Sequence, residues 1–166
     1  MKVNITLLTV TDTRTFDNDK SGAILVEKIK SAGHHLIDRK ICKDNKEEIV
    51  SILKEWLQNE TIDVVITTGG TGLTGRDITP EALDEVADKH IPGFGEVFRN
   101  ISLKTVGTSA IQSRACAVLS NGKYIFALPG SSGGVTDAWD GILKHQLDVN
   151  HKPCNFVELF PRLKEK

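Results

Sequence analysis

The chain has 166 residues, 39% hydrophobic and 26% charged, and its 21 Lys and Arg against 22 Asp and Glu leave a formal net charge of −1. Near-neutrality gives no electrostatic footprint for DNA or RNA, and no run approaches the ~18 apolar residues that a membrane span needs. The length suits one domain covering 1–166, and a domain near that size buries roughly 68–70% of its unfolded surface.

Residues 3–11, Val-Asn-Ile-Thr-Leu-Leu-Thr-Val-Thr, are β-branched and apolar, as a buried strand requires. They follow Met1-Lys2 with no apolar leader or small-residue cleavage site, so a cytoplasmic protein is expected. After a polar stretch from Asp12 to Lys20, Ile24, Leu25, Ile29 and Ala32 recur at helical spacing, with Gly33 placed to end the helix. A second strand fits 34–42. Ile49, Ile52, Leu53, Trp56 and Leu57 then trace the clearest amphipathic helix in the chain.

The third strand, 62–68, runs into a glycine-rich loop at 69–75, and Thr79-Pro80-Glu81 reads as an N-cap, a proline at N1 and an acidic first turn. Asn121-Gly122 is a strong hairpin signal between Cys116–Ser120 and Lys123–Leu128. A second tight loop, Pro129 to Gly134, precedes a last helix marked by Trp139, Ile142, Leu143, Gln146 and Leu147. Strands alternating with helices predict a three-layer α/β/α domain: a mostly parallel, doubly wound sheet plus one antiparallel hairpin.

Cys42, Cys116 and Cys154 show no CxxC spacing and are expected to be reduced and mostly buried. The five histidines have no metal-ligand spacing, so zinc chemistry is not expected; His34-His35 fits a helix-to-strand crossing.

In parallel sheets, ligands bind beyond the carboxyl ends of the strands. Both glycine-rich loops follow strands, and their backbone N–H groups could cradle an anion; simple tight turns are the plainer reading. Gly70-x-Gly72-x-x-Gly75 matches the dinucleotide fingerprint literally, but it follows the third strand and lacks a ribose-binding acid at a strand end. Gly70-x4-Gly75 has the Walker spacing, yet Arg76-Asp77 stand where Lys and Ser/Thr belong. Asp77 could cap a turn or hold Mg²⁺ beside phosphates, and Asp44 could cap the second helix or do the same. Asp12 is a third acid at that rim. Three carboxylates and two anion loops suggest metal-assisted phosphoryl or nucleotidyl chemistry.

The block from Thr67 to Leu83, TTGGTGLTGRDITPEAL, resembles the molybdopterin adenylyltransferases of molybdenum-cofactor biosynthesis and their B-type relatives. The likeness continues through 91–96, 112–115 and 128–131, and Lys152-Pro153-Cys154-Asn155-Phe156 favours the B-type branch. It implies transfer of AMP from ATP to the terminal phosphate of molybdopterin, with Mg²⁺ and release of pyrophosphate. It also implies a homotrimer or homohexamer, and a molybdenum-insertion enzyme as the partner that takes the product. By position, Asp77 and Asp44 match the family's catalytic aspartates and would hold Mg²⁺ through substrate phosphates. Thr68, Gly69, Gly70, Thr71 and Gly72, together with Pro129, Gly130, Ser131 and Ser132, match the substrate and nucleotide loops. Ser113 matches a pocket serine, with Arg114 beside it in either a binding or a structural role, and Asp12 is a further candidate. Two rival readings are a non-catalytic molybdopterin-binding scaffold and a nucleotide pyrophosphatase on the same fold.

Overall fold

The computed structural model describes residues 1–165. Six strands form one sheet: β1 (Asn4–Val10), β2 (His35–Cys42), β3 (Val64–Thr68), β4 (Lys89–His90), β5 (Cys116–Ser120) and β6 (Lys123–Leu128). They lie in the order β2-β1-β3-β6-β5-β4. β2, β1, β3 and β6 are parallel neighbours, whereas β5 pairs antiparallel with both β6 and β4. Asn121 and Gly122 turn the β5–β6 hairpin with positive φ of 47° and 72°, the geometry an Asn-Gly pair favours.

Helices cover both faces. On one, α1 (Lys20–Ser31), α4 (Pro92–Val106) and α5 (Ser132–Ala138) pack Leu25, Ile29, Phe98 and Val135 against Ile5, Leu7, Ile66 and Phe126. On the other, α2 (Lys46–Gln58) and α3 (Thr79–Val86) pack Leu53, Trp56 and Leu83 against Leu8, Val65 and Ile125. The central strands β1 and β3 therefore have both faces buried, which is why they read as near-continuous apolar runs. This is the expected three-layer α/β architecture.

Several local expectations change. Thr79 is not an N-cap: Ile78 occupies that position, and the buried Thr79 hydroxyl donates to the Gly69 carbonyl at 2.9 Å. Asp44 does not cap α2 either, because Asn45 accepts from the Glu48 amide at 2.9 Å. The last helix is interrupted, since α5 passes through a π-helical turn at Trp139–Leu143 before a short α-helical end at Lys144–Gln146. Residues 92–106, which carry Gly93, Gly95 and four β-branched residues, give a weak helical signal, yet they form the longest helix. Cys42 is buried, Cys116 half-buried and Cys154 exposed. Among the described residues, no helix is long and apolar enough to cross a membrane.

Candidate functional site

The register Thr9↔Thr68↔Leu128 aligns the carboxyl ends of β1, β3 and β6, so their following loops converge at one edge. The two glycine-rich loops touch there. Gly69 donates its amide to the Leu128 carbonyl at 3.0 Å, and the Thr68 hydroxyl donates to the Pro129 carbonyl at 2.7 Å. Gly69 has φ +100°, and a Cβ placed on it would stand 2.3 Å from the Val10 carbonyl oxygen, so only glycine fits at the contact with β1.

Asp77 sits where a Gly72 side chain would stand, 2.7 Å from the position of that missing Cβ. Its Oδ2 accepts from the Thr74 amide at 2.9 Å and from the Thr74 hydroxyl at 2.7 Å. Burial pushes the Asp77 carboxyl up, but the Thr74 hydroxyl and amide, the Gly72 amide and the Arg114 charge outweigh it and hold the group below its ordinary value. Asp44 is placed oppositely. Burial, and then the negative charge of Asp77, push its carboxyl up, with only its own amide opposing.

Arg114 braces the loop from beneath. Its backbone amide donates to the Thr71 carbonyl at 2.8 Å, Nε to the Gly72 carbonyl at 2.7 Å and Nη2 to the Asp77 carbonyl at 2.7 Å, while Nη1 pairs with Glu81. Its polar atoms are spent on the protein, so the structural alternative for Arg114 is the one the geometry matches. Asp12 is likewise engaged. It forms an ion pair with Arg76 and accepts from the Asp44 amide at 3.1 Å, and it lies on neither cavity wall.

Two cavities meet at this edge. The larger, about 670 Å³, is walled by Phe98, Val106 and Ala110 with Ser102, Ser113 and Asp137. The smaller, about 360 Å³, is walled by Thr9, Thr13, Arg14, Ser21, Asp44 and Thr68. Gly70, Asp77, Gly130 and Ser131 line both, forming the partition between the lobes. Gly69 faces the smaller lobe, and Thr71, Gly72 and Pro129 the larger. Of the residues matched to the family's loops, only Ser132 is on neither wall; its carbonyl accepts from the Thr136 hydroxyl at 2.8 Å. Ser131 caps α5, accepting from the Gly134 amide at 3.1 Å.

The sequence reading missed the α4 side of the larger lobe, since Phe98, Ser102, Thr105 and Val106 lie in a helix whose periodicity is weak. It also missed Arg14, in the stretch from Asp12 to Lys20 that was read only as polar, and Ser21 just beyond it.

The profile of the family described as the probable molybdopterin binding domain matches residues 6–149. The chain is 44% identical over 161 residues to molybdenum cofactor biosynthesis protein B of Escherichia coli (strain K12), covering 97% of this chain and 93% of that one. The Bacillus cereus protein of the same name is 44% identical over 147 residues, covering 88% and 87%. Among solved structures, a crystal structure of a molybdenum cofactor biosynthesis protein B superposes with TM-score 0.89 at 40% identity, covering 100% of this chain and 98% of the other. The tungsten cofactor synthesizing protein MoaB of Pyrococcus furiosus superposes with TM-score 0.77 at 36% identity, covering 87% and 92%.

Proposed function

Because the chain belongs to the probable molybdopterin binding domain family, we propose that it transfers AMP from ATP to the terminal phosphate of molybdopterin and releases pyrophosphate. Its place in molybdenum cofactor biosynthesis follows from the relatives it matches along nearly its whole length. The observation that carries the finer reading is the partition of the two-lobed cleft. One half-buried carboxylate, Asp77, faces both lobes, and a second, Asp44, lines the smaller lobe with it and stands close enough to feel the charge of Asp77.

The larger lobe, with its Phe98, Val106 and Ala110 wall, suits a flat pterin, and the smaller, threonine-lined lobe suits a phosphate chain. In the reaction a phosphate oxygen of molybdopterin attacks the α-phosphorus of ATP, and the bond from that phosphorus to the leaving pyrophosphate breaks. A phosphate oxygen needs little help from a base, so the protein's task is to hold two anions in line and close together. The glycine-rich loops do this with backbone amides, and Arg114 fixes the loop that carries Asp77.

Asp44 and Asp77 also fit a magnesium ion. Two mutually repelling carboxylates, one with its pKa pushed up by burial and then by the other's charge, form an oxygen donor set of the kind Mg²⁺ shares with substrate phosphates. When bound, the ion would supply charge neutralisation at the transferring phosphoryl group. Thr74 and Gly72 keep Asp77 ionised for that purpose.

On the same reading the protein acts in the cytoplasm as a homotrimer or homohexamer that passes its product to a molybdenum-insertion enzyme. The exposed apolar side chains Val97, Leu103, Val106 and Ile111 along and after α4 support self-association.

A single-turnover assay with molybdopterin, ATP and Mg²⁺ tests the reading. Adenylylated molybdopterin and pyrophosphate are expected from the wild type and neither from Asp77→Asn. A silent wild type that still binds molybdopterin would make the chain a pterin-binding scaffold. Pyrophosphate released without molybdopterin would make it a pyrophosphatase.

A further inference from the structure

Across the cavity walls the charge is unbalanced. Asp44 and Asp77 face the smaller lobe, and Asp77 and Asp137 the larger. Among the described residues lining either lobe, the one Lys or Arg is Arg14. The chain has six arginines, and four of them, Arg39, Arg76, Arg114 and Arg162, are ion-paired with carboxylates. Arg99 donates to the Ser113 and Ala115 carbonyls. Arg14 has no carboxylate partner among the described residues. Its Nη1 donates to the Gly130 carbonyl at 3.0 Å and makes a longer contact with the Ser21 hydroxyl at 3.4 Å. The rest of its fork of N–H donors makes no hydrogen bond among the described residues.

The segment that carries it is held in place from both ends. Thr11 donates its amide to the Cys42 carbonyl at 2.8 Å. At the far end, buried Asp19 accepts from the Thr9 hydroxyl at 2.6 Å and from Arg39 at 3.0 Å. The Arg14–Gly130 bond ties this strap to the second glycine-rich loop, and both residues line the smaller lobe. A guanidinium presents several donors in one plane and is suited to two-pronged contact with phosphate oxygens. Backbone amides alone would have to hold a polyanion against two carboxylates.

We propose that Arg14 is the cationic side chain that grips a substrate phosphate in the smaller lobe, which Asp44 and Asp77 also line, while its bond to Gly130 aligns the strap with the second loop. This rests on the reading of the cleft as a site for phosphorylated substrates. The phosphate could belong to the nucleotide or to the pterin, and the experiment separates the two.

Calorimetric binding of MgATP, of magnesium pyrophosphate and of molybdopterin would be compared for the wild type, Arg14→Gln and Arg14→Lys. Loss of a charged hydrogen-bond partner is expected to weaken the phosphate that Arg14 holds by roughly 10- to 100-fold in Arg14→Gln. Arg14→Lys should recover part of that, with the thermal midpoint of both variants near that of the wild type. A deficit confined to MgATP and pyrophosphate assigns Arg14 to the nucleotide, and one confined to molybdopterin assigns it to the pterin phosphate. Wild-type affinity of Arg14→Gln for all three ligands would overturn the assignment and leave the cleft reading standing. A wild type that binds none of the three would overturn both. Should Arg14→Gln fold poorly, wild-type affinities in a well-folded Arg14→Lys would overturn the two-pronged contact, and weakened affinities at unchanged stability would support it.

Discussion

The two edges of the parallel sheet carry polar residues of the same types and use them differently. At the amino edge, polar side chains are committed to neighbouring backbone. Asp63 accepts from the Asn4 amide at 2.8 Å, the Asn4 side chain donates to the Thr61 carbonyl at 2.8 Å, and buried Lys123 donates to the Ile62 carbonyl at 2.9 Å. At the carboxyl edge, among the described residues, Asp44 accepts from no side chain and Arg14 pairs with no carboxylate, and Asp44 and Asp77 repel one another. A fold gains nothing from repelling carboxylates beside an open cavity, and polar groups left unmet there are what the proposed ligand site would use. At the amino edge the same chemistry closes on itself and serves stability.

The largest effect that separates the edges is expected at Asp77. Asp77→Asn removes one charge at nearly constant shape and should lower the single-turnover rate by about 10³-fold, in line with the loss of one preorganised electrostatic group. The thermal midpoint should stay within a few degrees. Lys123→Met at the other edge should do the reverse: a loss of stability of about 1–3 kcal/mol from the orphaned Ile62 carbonyl and an unchanged rate. A rate loss in Lys123→Met equal to that in Asp77→Asn would end the distinction.

Arg114 lies under the carboxyl edge yet behaves as the amino-edge residues do, with its donors spent on the Gly72 and Asp77 carbonyls and on Glu81. Arg114→Lys keeps the charge but lacks the planar fork. It should cost roughly 10- to 100-fold in rate through misplacement of Asp77, together with a lower thermal midpoint. A rate loss with no change in stability would make Arg114 a substrate contact.

Much of this division was visible in the sequence. The β-branched run at 3–11, the helix spacing of Ile49 to Leu57 and Asn121-Gly122 each correspond to one element, because local preference and burial agree there. The glycine-rich loops were legible for the same reason, since a backbone that must approach another within 2.3 Å of a missing Cβ admits no other residue. What escaped was α4, where Pro92, Gly93 and Gly95 open a helix held by Phe94 and Phe98 packing on the core rather than by propensity. The α4 wall of the larger lobe escaped with it. Arg14 was illegible for another reason: nothing local marks an arginine that crosses to a carbonyl 116 positions away.

Asp19 sharpens the comparison from within the strap. Burial pushes its carboxyl up, but the Thr9 hydroxyl, the Gly22 amide and Arg39 outweigh that and hold it below the ordinary 3.8. A carboxylate with a depressed folded-state pKa contributes stability that is fully present above its unfolded value and is lost as pH falls through the folded one. Acid titration from pH 7 should therefore destabilise the wild type more steeply below about pH 4 than it does Asp19→Asn. At neutral pH the variant should be less stable by about 1.5–3 kcal/mol, the worth of charge-assisted hydrogen bonds, or roughly 3–10 °C for a chain of this size. Parallel acid profiles would mean that Asp19 is not held ionised by these partners.

The smallest expected effect lies in two adjacent residues. Asn45 caps α2 by accepting from the Glu48 amide, and Asp44, one position earlier, faces the smaller lobe. Asn45→Ala should cost about 1 kcal/mol of stability, the usual worth of an N-cap, and leave turnover alone. Asp44→Asn should keep the thermal midpoint, or raise it slightly as the repulsion from Asp77 is relieved, while lowering turnover less than Asp77→Asn does. Adjacent positions on one loop would then fail in opposite assays, because one side chain turns back to its own helix and the other is left to the ligand. If Asp44→Asn instead lost stability and kept its rate, Asp44 would belong with the structural residues of the amino edge, and Asp77 alone would carry the charge of the site.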